Sequence, residues 1–162
     1  MKYFVRFSIL FALLLFIGAS VLAQSKEPRK VNEFGWIPCE QLRHILDEFL
    51  AELQSSPDSL GYAYVYEGKS SMRSYGKRGS RLETFLPAVG EAAYRTNIFR
   101  RHFAFRRFDP GRYLFIDGGY RENFSVELWI VPIGVRPPAT TPTLDEMKFR
   151  RGKPEQIVCE EG

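Results

Sequence analysis

The sequence has few of the side chains that most often form catalytic and metal centres. Its 162 residues include only two histidines, His44 and His102, and only two cysteines, Cys39 and Cys159. Zinc sites usually combine four such ligands at a recognisable spacing, and the carboxylates show no such spacing either. A pair of Cys39 and a histidine acting as nucleophile and base would need a surrounding sequence like that of cysteine proteases, which is absent. We therefore expect neither an enzyme nor a bound metal or cofactor.

The chain also lacks a large excess of charge. It has 23 Lys and Arg against 19 Asp and Glu, a net charge of +4. That charge is too small by itself to indicate a nucleic-acid or anionic-membrane partner. Hydrophobic residues make up 44% of the chain, which is typical of globular rather than disordered proteins. We expect a folded domain without a nucleic-acid partner.

Long apolar runs are missing except at the N-terminus. Lys2 and Arg6 precede or border the apolar stretch 7–17, and short side chains lead up to Ala23. This pattern predicts a signal peptide over residues 1–23; an uncleaved membrane anchor is the alternative. Cleavage would leave an exported chain, periplasmic or extracellular, with no membrane span and with enough residues for one domain.

An even number of cysteines in an exported chain favours a disulfide between Cys39 and Cys159. Two free buried thiols are the alternative if the compartment is not oxidising. The segment 135–162 begins rich in proline and threonine, so we expect an extended backbone there that does not join a central sheet. With the bridge this segment is an ordered strap, and without it a mobile linker.

Two segments have the apolar spacing of amphipathic helices. In the first, apolar residues recur every three or four positions, and the stretch 55–59, which contains Pro57, ends the helix. The second is expected from about Glu91 to Arg107, with arginines on much of its surface. The stripe of the first helix consists of Leu42, Ile45, Leu46, Phe49, Leu50 and Leu53.

Strand patterns flank these helices. The segments with β-branched, aromatic or alternating residues are 31–37, 61–67, 113–117 and 124–131. Gly118 and Gly119 separate the last two, which predicts a hairpin. The polar segment 68–79 is expected to be a loop, and 24–30 a flexible lead-in. Over residues 31–134 the order is βαβαββ, which predicts an α+β domain with a mixed sheet of about four strands and two helices on one face.

Four short segments are distinctive: Glu67-Gly68 at the end of a predicted strand, an arginine-opened helix at 95–103, FDPGRY at 108–113 and GGYRE at 118–122. Through these segments and the order of its elements, the chain resembles the C-terminal peptidoglycan-binding domain of OmpA-like proteins over residues 31–133. A group of uncharacterised exported bacterial proteins is more similar still. That likeness rests on residues 32–35, Cys39, residues 46–49, Leu53-Gln54 and residues 117–132.

The resemblance implies a ligand site for the diaminopimelate of a peptidoglycan stem. In OmpA-like domains an aspartate after the second strand and an arginine that opens the second helix bind this group. Arg95 matches the arginine, whereas Ser71 stands where the aspartate is expected. A zwitterionic stem needs an acceptor for its ammonium as well as a donor for its carboxylate. Arg95 is therefore the candidate ligand-binding residue, with half of the family's site missing.

Basic residues between 69 and 107 suggest a second kind of surface. The arginines of the second helix, with Lys69, Arg73, Lys77, Arg78 and Arg81 before it, would suit an anionic glycan, a lipid head group or a nucleic acid. The alternative is the ordinary polar face of an amphipathic helix.

The sequence favours an exported, non-catalytic envelope module that binds a cell-wall component or an envelope protein. The alternative is a structural or protein-interaction module with no small ligand.

Overall fold

The computed structural model describes residues 27–76, 79–154 and 159; the predicted signal peptide, and residues 24–26 of the predicted lead-in, lie outside them. The α+β prediction is confirmed. The chain forms β1 Arg29–Phe34, α1 Cys39–Gln54, β2 Ser59–Gly76, β3 Gly79–Phe85, α2 Glu91–Phe105, β4 Tyr113–Asn123 and β5 Ser125–Pro132. A turn of 3-10 helix, Pro110–Arg112, precedes β4. β1 therefore takes up the last two residues of the predicted lead-in.

β2 is the central strand of a mixed sheet. It pairs antiparallel with β5 on one side and parallel with β4 on the other. β1 pairs antiparallel with β5, which gives the order β1-β5-β2-β4. The predicted hairpin between the last two strands is therefore wrong, because β2 lies between them. Alternation along a strand shows which face is buried but does not identify the partner strand.

The two glycines expected to form the hairpin turn lie inside β4. Gly118 falls at an irregularity in the pairing with β2, where Tyr66 is opposite Gly119. A Cβ atom on Gly118 would lie 2.5 Å from the Tyr66 ring. A bulged strand and a close aromatic ring explain this glycine without a turn.

The predicted loop 68–79 is wrong as well. β2 continues to Gly76 and pairs antiparallel with β3, from Ser70 opposite Phe85 to Gly76 opposite Gly79. We call residues 70–76 and 79–85 the ribbon. Side chains along β3 are mostly exposed, so the ribbon lacks the alternating pattern that identifies a strand with one buried face.

Both helices cover one face of the sheet, as predicted. The core there combines leucine, isoleucine and phenylalanine side chains of α1 and α2 with Ala63 and Val65 of β2 and Val126 and Leu128 of β5. Phe103 of α2 lies edge-on to Tyr113, with ring centroids 4.7 Å apart. This packing supplies most of the apolar burial.

The C-terminal segment crosses the other face of the sheet, and we call residues 135–154 the strap. Tyr64 and Tyr66, which alternate with Ala63 and Val65, are buried beneath it. The Tyr64 hydroxyl donates to the Pro138 carbonyl at 2.7 Å, and the Thr141 N–H donates to the Tyr66 hydroxyl. The predicted disulfide between Cys39 and Cys159 is present, with Cα atoms 5.4 Å apart. The bridge joins Cys159, near the C-terminus, to Cys39, the first residue of α1.

Candidate binding cleft at Arg95

Arg95 lies in the second turn of α2, and its side chain is only 8% exposed. Its Nη2 donates to Glu91 Oε1 at 2.8 Å and to Ser70 Oγ at 3.0 Å. The guanidinium also lies 4.4 Å from the centre of the Phe124 ring. Spacing of four residues along the helix brings Arg95 beside Glu91, and the start of the ribbon brings Ser70.

One donor of this guanidinium is unsatisfied. Arg95 Nε is buried and has no hydrogen-bond partner among the described residues. A buried donor without a partner costs about 1–3 kcal/mol. Such atoms are rare enough in folded proteins that each calls for an explanation. A bound anion would supply the missing acceptor.

The Arg95 cleft has a volume of about 400 Å³ and opens between the ribbon and the strap. Its walls bring together three cations, one carboxylate and several large apolar or aromatic groups. They are Trp36, Ser70, Met72, Phe85, Leu86, Glu91, Arg95, Arg150 and Lys153. A carboxylate or phosphate held against an aromatic or aliphatic surface fits this chemistry.

The carboxylates near the cleft also hold the start of α2. Gly90 precedes the helix and has no side chain to cap it. Glu91 Oε2 accepts from the Ala88 N–H at 2.8 Å, and Glu67 Oε2 accepts from the Ala92 N–H at 2.9 Å. Burial raises the pKa of Glu67, an effect that the hydrogen bond from Ala92 opposes. Glu67 thus satisfies an amide in the first turn of α2, and Glu91 fixes the turn that precedes the helix.

Ser71 does not face Arg95. Its hydroxyl lies 3.1 Å from that of Thr84, across the ribbon. Ser70, one residue earlier, reaches Arg95 instead, because successive side chains of a strand point to opposite faces. The carboxylate beside Arg95 comes from Glu91, which its spacing of four residues on a predicted helix could have identified.

The two histidines and Cys39 have partners away from the cleft. His44 forms an exposed pair with Glu48 on α1, and His102, 1% exposed, pairs with Asp47 across the two helices. Cys39 is bridged and has no free thiol. No group of three or more His, Cys, Asp or Glu residues could hold a metal ion in the part of the chain that the structure describes.

Glu127 is a buried ion-pairing residue that the sequence interpretation missed. The residue is only 6% exposed. Arg121 Nη2 donates to it at 2.8 Å, Lys30 at 3.1 Å and the Trp129 indole at 3.0 Å. Desolvation raises the pKa of Glu127, but these hydrogen bonds outweigh it and lower the pKa below its ordinary value. The alternation of apolar and polar residues along β5 does not reveal that the strap covers the face on which Glu127 lies.

Comparison of the chain with protein-family models, with curated proteins and with solved structures finds no match. Among the described residues, no helix has the length and apolarity needed to cross a membrane. The fold defines an α+β domain closed by a disulfide.

Proposed function

We propose that this chain is an exported, non-catalytic module of the cell envelope. It binds a carboxylate-bearing component of the cell wall, with peptidoglycan as the first candidate, in the Arg95 cleft. The observation that supports the proposal most directly is the buried, unsatisfied Nε of Arg95 in a cleft that Arg150 and Lys153 also line. The disulfide is compatible with an oxidising, extracytoplasmic location.

The geometry suggests how a ligand carboxylate would bind. Glu91 contacts Arg95 through Oε1 alone, because its Oε2 accepts from the Ala88 N–H. A ligand carboxylate that replaced Glu91 Oε1 would accept from both Nε and Nη2 of Arg95, a bidentate pairing that guanidinium favours. Arg150 Nη2 lies 3.5 Å from Glu91 Oε2 and would keep that carboxylate neutralised.

A peptide stem also carries an ammonium group, and Glu91 is the acceptor that the cleft offers for it. The family's aspartate has no counterpart at Ser71, so this arrangement would differ from the one that the resemblance implies. Trp36 would cover an apolar part of the stem or a sugar ring.

Co-sedimentation with purified peptidoglycan sacculi tests the proposal. We expect the disulfide-bonded chain from Gln24 onward to pellet with the sacculi, and Arg95→Ala to weaken this binding about tenfold, since a charge-assisted pair is lost. Lys153→Ala removes an exposed cation of the cleft without touching the core, and should weaken binding less. Arg101→Ala, an exposed arginine of the same helix, is the matched control.

The outcome that would refute the proposal is equally specific. Wild-type protein that stays in solution with the sacculi, while circular dichroism shows that it is folded, would exclude peptidoglycan. Equal losses for Lys153→Ala and Arg101→Ala would show attraction by net charge rather than by this cleft. A protein-interaction module without a small ligand would then be the better proposal, because exposed apolar side chains on the ribbon favour it.

A further inference from the structure

The ribbon extends beyond the main sheet. β2 pairs with β5 as far as Tyr66 and with β4 as far as Lys69. From Ser70 to Gly76, its only strand partner in the described part of the chain is β3. An isolated pair of strands is only marginally stable in water. A two-stranded extension with little cover is therefore a good candidate for a contact surface.

Apolar side chains are exposed on both sides of this ribbon. Leu82 is 65% exposed and lies opposite Arg73, whereas Phe85 is 45% exposed and lies opposite Ser70. Ser70 faces Arg95, so Phe85 lies on the cleft side and Leu82, three residues away, lies on the other side. Leu86 and Val89 continue the exposed apolar stretch, at 37% and 71%. Neither side of the ribbon is a fully polar surface.

The same segment is strongly basic. Between positions 69 and 86 five Lys or Arg residues occur against one acidic residue, Glu83. Like charges oppose the pairing of two such ribbons edge to edge, so a second copy of the chain is a poor partner. An anionic partner is favoured by charge complementarity.

We propose that the ribbon docks onto the surface of an anionic phospholipid bilayer. The ribbon would lie along the membrane on the face that carries Arg73 and Leu82, which are opposite each other and point away from the Arg95 cleft. Arg73 is exposed and would lie among the head groups, and Leu82 would enter the interface between head groups and acyl chains. This surface does not require that Arg95 bind a cell-wall ligand.

Vesicle co-sedimentation tests this inference. The disulfide-bonded chain from Gln24 onward is mixed with vesicles of phosphatidylglycerol and phosphatidylcholine, and with vesicles of phosphatidylcholine alone. We expect binding to the anionic vesicles only, weakened by salt. Arg73→Ser should reduce the partition coefficient about fivefold, and Leu82→Ser about tenfold.

The chain offers a close control for the apolar contact. Ile133 is 64% exposed and follows β5, whose Pro132 pairs with Ser59 at the opposite end of β2. Ile133→Ser should therefore not affect binding. Equal losses for Leu82→Ser and Ile133→Ser, equal binding to both kinds of vesicle, or no binding to anionic vesicles would each overturn the proposal. Self-association that Leu82→Ser abolishes, without vesicle binding, would assign the ribbon to a second copy of the chain.

Discussion

The two faces of the central sheet are buried by different means. On one face α1 and α2 pack apolar side chains against Ala63, Val65 and Leu128. On the other face the strap forms hydrogen bonds with the hydroxyls of Tyr64 and Tyr66. Arg121 adds a guanidinium that lies 3.5 Å from the centre of the Tyr66 ring. Alternate residues of β2 thus contribute to the apolar core on one face and to polar contacts on the other. We call the polar contacts of Tyr64, Tyr66 and Arg121 with the strap the polar clamp.

This difference indicates which face of the sheet should depend on the disulfide for its stability. Apolar packing under the helices joins side chains of α1, α2 and the sheet in one core, and the disulfide contacts only its edge through Cys159. The strap has no helix and no long strand to hold it, so each of its hydrogen bonds competes with water. The disulfide, which lies beyond the C-terminal end of the strap, reduces the conformational entropy that the strap gains when it detaches from the sheet. We therefore expect the two faces to respond differently to the same perturbations.

Removal of the disulfide should have the largest effect. Cys39 and Cys159 are 120 positions apart, and in the chain-entropy model a loop of this size contributes about 4–5 kcal/mol to stability. The double variant Cys39→Ser/Cys159→Ser should lose about that much free energy of unfolding in urea titrations.

Amide hydrogen exchange in the same variant separates the two faces. The amides of Thr141 and Thr143, which bond to Tyr66 and to Tyr120, should exchange much faster relative to that of Leu128. A uniform acceleration across both faces would contradict the comparison, because the strap would then unfold only with the whole domain.

Leu128→Ala measures the helix-covered face. Leu128 is fully buried, and truncation to alanine should lower the free energy of unfolding by about 3 kcal/mol, through lost burial and the remaining cavity. Leu144, on the strap and 39% exposed, is the matched control, and Leu144→Ala should cost less than about 1 kcal/mol. Similar losses at the two positions would show that the strap buries apolar surface as effectively as the helices do.

The sequence predicted the elements that repeat a simple period. The apolar stripe of α1 from Leu42 to Leu53 and the alternation along β5 both gave the correct element type, and with the fold class they were confirmed. Such patterns are reliable because they record which side of a single element is buried. The disulfide, which is confirmed, was predicted from the even count of cysteines together with the expected export of the chain.

Long-range pairing was not predictable in the same way. Nothing in β4 or β5 indicates that β2 separates them, because the choice of strand partner depends on the whole sheet. The ribbon was not predicted, because it has no buried face that would impose an alternation of apolar and polar residues on its sequence. At the candidate site Arg95 was named from the resemblance, whereas Ser70, Arg150 and Lys153 reach the cleft only through the ribbon and the strap.

Arg121→Met tests the polar clamp over β2. Arg121 donates to Glu33 and Glu127 and to the Thr141 carbonyl. Methionine would keep much of the contact with the Tyr66 ring but would leave Glu127 with Lys30 as its remaining cationic partner. We expect a loss of about 2 kcal/mol in the free energy of unfolding.

A double-mutant cycle with Glu127→Gln isolates the charge from the packing. If the ion pair matters, Arg121→Met should cost less in the Glu127→Gln background, because no uncompensated carboxylate then remains. Strictly additive losses would show that Arg121 acts through its stem and its strap contacts alone.

Asp47 gives the smallest expected effect and lies on the helix-covered side. Desolvation raises the pKa of its carboxyl, but hydrogen bonds from Arg106 and His102 outweigh it and bring the pKa below its ordinary value. In the pH range between the two pKa values the folded chain binds fewer protons at this site than the unfolded chain. The stabilisation from Asp47 is therefore fully present above the pKa of this group in the unfolded chain. It is lost as the pH falls through the lower pKa of the folded chain. Because Asp47 is 38% exposed and Arg106 is 45% exposed, the magnitude should stay below about 1 kcal/mol. Urea titrations of wild type and Asp47→Asn should differ most near neutral pH and converge in acid, and a difference independent of pH would contradict this account.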